Sequence, residues 1–152
     1  FDFSVLQNEV SSLAELLGTD VQQSRFHFVK FSLPDSYENL INLNILNDFS
    51  MGYPSRIGFR CGYAGEFNFF NLKSNKATQL VIHPFQVMDA ALNLYMKLSP
   101  DDAVFQARQI IDKVKSVNGT FTLLWHNESL CNYGAWQGWG PVYEQIVRYA
   151  AI

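Results

Sequence analysis

Charge is scarce in this chain. Only 16% of its 152 residues are charged, 11 Lys and Arg against 14 Asp and Glu, for a formal charge of -3. So mild an acidity leaves no electrostatic footprint for nucleic acid or for an anionic membrane surface. Cysteine is scarcer still. Cys61 and Cys131 are too few for a disulfide scaffold, and no CxxC pattern or Cys/His cluster points to zinc. The three histidines, His27, His83 and His126, show neither the H-x3-H nor the HExxH spacing of a local metal site. No apolar run approaches the roughly 18 residues of a membrane span. There is no repeat, linker or low-complexity stretch. Two Asn-x-Ser/Thr patterns, at Asn118 and Asn127, are of a kind that chance supplies often.

What remains is apolar and aromatic. Hydrophobic residues make up 48% of the chain, and thirteen Phe, seven Tyr and three Trp bring the aromatics to 15%. A chain of this length and apolarity is expected to bury a core as one domain over residues 1–152, since domains cluster at roughly 100–150 residues. Large rings fill cores first, and they also line sugar-binding clefts. The chain opens at Phe1 with neither a Met nor a signal-like segment, and the expectation is a piece cut from something longer or a processed chain.

Helices and strands alternate along the chain. Ser4-x-x-Gln7 reads as a capping box, and Leu6, Val10, Leu13 and Leu17 follow at helical spacing up to Gly18, which predicts a helix over 4–17. Arg25 to Phe31, RFHFVKF, reads as a strand with Arg25, His27, Val29 and Phe31 on one face. Pro34 is expected in the first turn of a helix running to Asn44, with a short strand over 45–50. Residues 51–65 carry four glycines and a proline and read as a long loop, a kind that is usually functional. Residues 67–72 and 79–83 read as strands, and Val87 to Met96 as a short helix. Ser99-Pro100-Asp101-Asp102 opens the clearest helix, which Asn118-Gly119 ends. Thr120 to Trp125 reads as a strand buried on both faces, 127–138 as a loop, and Pro141 as the start of a last helix with Val142, Ile146 and Tyr149 inward. The pattern argues for the α/β class, with parallel strands alternating with helices.

In such folds chemistry collects where strands end. TFTLLW delivers His126, and a histidine there suits proton transfer near neutral pH. Asn127, Glu128 and a loop carrying Trp136 and Trp139 follow it. Asp89, six residues past His83, could orient His126 as an acid does in a triad. Its bland role is that of a helix N-terminal acid. Asp48 ends another strand, where a turn cap is the commoner role. His83 is expected to be a packed, satisfied histidine. Arg25 and His27 share a face that suggests a polar pocket, and Arg60 sits between glycines that let a ligand approach.

Four segments together, SRFHFVKFSLPDSYENL, NDFSMGYPSRIGFRCG, HPFQVMDAAL and FTLLWHNESL, resemble the NodB-homology polysaccharide deacetylases, most nearly a bacterial subgroup of deacetylase-like proteins. The likeness covers nearly the whole chain, and its most specific part is Leu124-Trp125-His126-Asn127. It implies the C-terminal part of a distorted (β/α) barrel that hydrolyses the amide of N-acetylated sugars with a divalent metal, usually zinc. His126 would be the general acid, Asp89 the acid that tunes it (Asp48 standing behind), and Arg25 the arginine that positions the base, with Arg60 as competitor. Trp136 and Trp139 would cover the sugar, and Arg60, His27 and Asp48 would help to bind it. The family's early Asp pair and H-x3-H pair are absent from this chain. By family order they precede Phe1, so no metal ligand is assigned here and the piece alone is expected to be inactive. The expected partner is a polysaccharide or N-acetylated glycan, with neither nucleic acid nor membrane. A cut barrel has open sheet edges, so self-association is also expected. The alternative reading is a non-catalytic carbohydrate-binding or interaction domain.

Overall fold

The computed structural model describes residues 2–151. The fold is mixed α/β, and the chain divides into two compact units, Phe1–Ser50 with Glu66–His83, and Met51–Gly65 with Pro84–Ile152.

The first unit begins with α1 (Phe3–Leu17). The cap is Asp2 rather than Ser4: its carboxylate accepts the Ser4 N–H at 2.9 Å, which satisfies one of the orphan donors of the first turn. Gly18 closes the helix in the left-handed region, φ 66°, as glycine does without strain. β1 is only Gln23–Ser24. The strand expected over RFHFVKF does not form. Instead His27–Val29 makes a 3₁₀ turn, and Phe28 and Val29 both take positive φ, 57° and 55°, which turns the chain off the strand axis. Two anchors hold that turn. Phe26 and Val29 are buried, and the Phe26 N–H donates to Ser50 Oγ at 2.8 Å.

α2 (Asp35–Asn42) crosses to β2 (Asn47–Asp48), which pairs parallel with β1, so the two strands and the helix make a βαβ unit. β3 (Phe67–Asn71) and β4 (Lys76–Ile82) form an antiparallel pair, and β4 lies parallel to β2, which gives the sheet order β1-β2-β4-β3. Leu80 and Ile82 of β4 are almost fully buried, as are Tyr37, Leu40 and Ile45. Phe31 stacks on Tyr37 at 5.4 Å and Phe69 meets Tyr37 edge-on at 5.0 Å, so these aromatics fill core, in the offset and edge geometries that rings prefer.

The second unit holds β5 (Val87–Met88), α3 (Pro100–Ser116), β6 (Leu123–Leu124) and α4 (Trp139–Ala150). β5 and β6 pair in parallel, Val87 with Leu123 and Met88 with Leu124, so β5-α3-β6 is a second βαβ unit. Residues 87–96 are thus a strand followed by a short π-helix, Ala91–Tyr95, rather than one helix. Ser99 Oγ accepts the Asp102 N–H, as the capping pattern predicts. The stripe Ala103, Val104, Ala107, Ile110, Ile111 and Val114 is buried. Ala103, Val104, Ala107, Ile110 and Ile111 pack with Val142 and Ile146 of α4 and with Trp136 and Trp139 in one core. β6 is half-buried rather than covered on both faces.

The long loop 51–65 is stitched into this unit at three places. Phe85 N–H donates to Met51 O at 3.1 Å, Gly58 N–H to Gln86 O at 2.8 Å, and Thr120 N–H to Ala64 O at 2.6 Å. Buried Gln86 also accepts the Thr122 N–H through its side chain at 2.8 Å, extending the short β5–β6 pairing by one rung. Among the described residues no helix is long and apolar enough to cross a membrane.

Candidate functional site

Parallel pairing in register brings the ends of β5 and β6 side by side, and each end delivers one polar residue. Asp89 follows Met88 directly. His126 comes two residues after Leu124, at the N-cap of a 3₁₀ turn, Asn127–Leu130. The two side chains meet, with Asp89 Oδ1 at 2.7 Å from His126 Nδ1. Asp89 is 0% exposed, while the imidazole retains 29%.

The buried carboxylate is fully engaged. Oδ1 also accepts the Ala90 N–H at 2.7 Å. Oδ2 accepts the His126 N–H at 2.7 Å and the Ser129 hydroxyl. Buried carboxylates persist when donors of this kind replace the lost water. An ionised carboxylate only accepts, so Nδ1 carries a proton in this pair. Nε2, the other ring nitrogen, has no hydrogen-bond partner among the described residues. Ser129 is 0% exposed and grips the acid, not Nε2, so the three residues do not make a nucleophilic Ser-His-Asp relay, which requires the serine on the far nitrogen.

Arg60 belongs to the same compact unit, and its Nη1 donates to Gly52 O at 2.9 Å across the 51–65 loop. Trp136 and Trp139 also belong to it. They were expected to stand in an open loop over a sugar, but both are buried, edge to face at 5.8 Å, in the core under α3 and α4. Burying two indoles there stabilises this small unit by removing large apolar areas from water.

Arg25 and His27 lie in the first unit. Both are exposed, and the His27 ring packs on Phe28 at 4.2 Å. Arg25, His27 and Phe26 edge a groove of about 510 Å³ whose other wall includes Val5, Leu6 and Val10 of α1. With no strand over RFHFVKF, Arg25 and His27 do not share a sheet face.

Asp48 ends β2 and is 0% exposed. Its Oδ1 accepts the Tyr37 hydroxyl at 3.0 Å and the Ser50 N–H at 2.9 Å, and its Oδ2 accepts the Ser50 hydroxyl at 2.9 Å. It therefore acts as the turn cap that a strand-end aspartate commonly is, and through Ser50 it secures Phe26. Burial pushes its carboxyl above the usual range, and the hydrogen bonds from Ser50 and Tyr37 oppose that rise. A raised folded-state value means that the group's contribution to stability is fully present below about pH 4, near the unfolded carboxylate value, and is lost as pH rises through the folded value. The stability of Asp48→Asn minus that of the wild type is therefore expected to increase from pH 4 to pH 7 in denaturant titrations. A constant difference would contradict this.

His83 is held as a satisfied histidine. Its Nε2 is 2.8 Å from Asn47 Oδ1, its Nδ1 is 3.4 Å from Glu66 Oε2, and its ring stacks on Phe49 at 4.4 Å. Among the described residues no group of three or more His, Cys, Asp or Glu side chains could hold a metal ion.

Sequence reasoning missed Ser129, having read it only as part of an Asn-x-Ser pattern. The usable signal was its spacing, three residues after a strand-end histidine. No family model, curated protein or solved structure matches this chain.

Proposed function

We propose that this chain carries the general-acid side of a carbohydrate N-deacetylase of the NodB-homology kind, and that it forms the C-terminal part of a distorted (β/α) barrel. One observation carries the reading: at the paired ends of two parallel strands, a buried aspartate holds Nδ1 of a half-exposed histidine and leaves Nε2 open. Two βαβ units agree with the barrel, and the order of segments along the sequence agrees with the family.

Hydrolysis of an acetamide breaks a C–N bond, and the departing amine needs a proton. Protonated His126 gives it from Nε2. Asp89, against Nδ1–H, holds the ring in place throughout and leaves Nε2 as the donating nitrogen. The resemblance implies an arginine that positions the base, with Arg25 matching it by order and Arg60 as competitor. The family resemblance implies a divalent metal, but the described residues supply no ligand set for one, and no step here runs through a metal.

His126→Ala in the natural polypeptide that carries this chain is expected to lower deacetylation of N-acetylglucosamine oligomers by about 10²–10⁴-fold, the usual weight of a general acid. Undiminished release of acetate would refute the proposal.

A further inference from the structure

We infer that Ser129 is a positioning residue for the Asp89–His126 pair, fixing the orientation of the carboxylate against the imidazole and so keeping Nδ1 as the bonded ring nitrogen and Nε2 as the one left to donate. This rests on reading His126 as the acid. The 3₁₀ turn makes the arrangement possible. His126 is the N-cap of the turn and Ser129 its third residue, and the Ser129 N–H closes the turn on His126 O at 3.1 Å. The closed turn keeps the two residues together, and both grip one buried carboxylate.

The division of labour between the oxygens follows. Oδ2 is taken by the His126 N–H and the Ser129 hydroxyl, both from the turn. Oδ1 is left for Ala90 N–H and the ring nitrogen. Without the hydroxyl, Oδ2 keeps only the His126 N–H, and rotation of the carboxylate about its Cβ–Cγ bond is resisted less from that side. The ring's proton is then held less firmly on Nδ1. The Ser129 hydroxyl is fully buried and bonds to the carboxylate rather than to a ring nitrogen, so its hold on the imidazole runs through Asp89, while its N–H bonds only the His126 backbone.

Nitrogen-15 and proton NMR of the His126 ring in the full chain tests this. The wild type is expected to show a low-field Nδ1–H signal and, when neutral, a ring protonated at Nδ1. Ser129→Ala should lose that signal to solvent exchange and show a mixture of tautomers, and Ser129→Thr, which keeps the hydroxyl, should restore it. Ser129→Cys leaves no void and replaces the hydroxyl with a slightly larger, weak donor, so it reports even if the alanine variant fails to fold, and it too should lose the signal. A folded alanine or cysteine variant with the wild-type signature would overturn the inference and make Ser129 a packing residue. The tautomer is read without any assay of activity. An active His126→Ala enzyme would therefore remove the deacetylase reading while leaving the effect of Ser129 on the ring measurable.

Discussion

Replacing Asp89 with alanine is expected to destabilise the protein by about 3–5 kcal/mol, the usual effect of removing one member of a buried hydrogen-bonded pair. Three donors besides the imidazole lose their acceptor at once: the Ala90 and His126 N–H groups and the buried Ser129 hydroxyl. Each unsatisfied buried donor costs about 1–3 kcal/mol, partly relieved where water can enter beside the half-exposed ring. Asparagine is expected to rescue little. Both carboxylate oxygens face N–H donors, so either orientation of the amide sets an NH₂ group against a donor. Denaturant titration of both variants checks this, and an Asp89→Asn protein as stable as the wild type would contradict it.

Gly119→Ala is the second large effect. A Cβ at this position would lie 2.4 Å from Ala64 O and 2.9 Å from Ala64 Cβ. The nearer obstacle is backbone, and that carbonyl accepts the Thr120 N–H at 2.6 Å. No side-chain rotation relieves the clash, so the end of α3 must move away from the 51–65 loop and stretch that bond. Overpacking of this sort costs about 1–3 kcal/mol, and the weakened hydrogen bond adds to it. Thermal unfolding should show a clear drop in Tm for Gly119→Ala. Gly140→Ala is the control, since nothing lies within 4 Å of a Cβ built there. Equal Tm values for the two variants would count against the argument.

The parts legible from sequence were those set by local rules. The glycine stop of α1, the start of α3 and the inward stripes of α3 and α4 follow from glycine, proline, capping residues and helical spacing. The alternation of strand and helix was legible too, as was the delivery of His126 at a strand end and the pairing of Asp89 with it, though Asp89 read as an acid six residues past His83 rather than as the end of its own strand. Illegible were features that distant residues decide. β5 has two residues and exists because β6 pairs with it, so Val87 to Met96 reads locally as helix. RFHFVKF has the composition of a strand, yet the bond from Phe26 to Ser50 and the left-handed Phe28 and Val29 make it a turn. Trp136 and Trp139 sit in a glycine-rich stretch that looks open, and only the packing of α3 against α4 shows them to be core.

The two compact units are threaded through one another along the chain, because 51–65 belongs with 84 onward while 66–83 belongs with the beginning. Synthesis from the N-terminus therefore meets them out of turn. The 51–65 segment leaves the ribosome well before Thr120 exists to bind Ala64 O. The first unit, by contrast, has all its strands once His83 has emerged. Neither unit can be excised by a single cut, and a nascent chain halted between Pro84 and Gly119 would hold a finished first half beside a loop still waiting for its anchor.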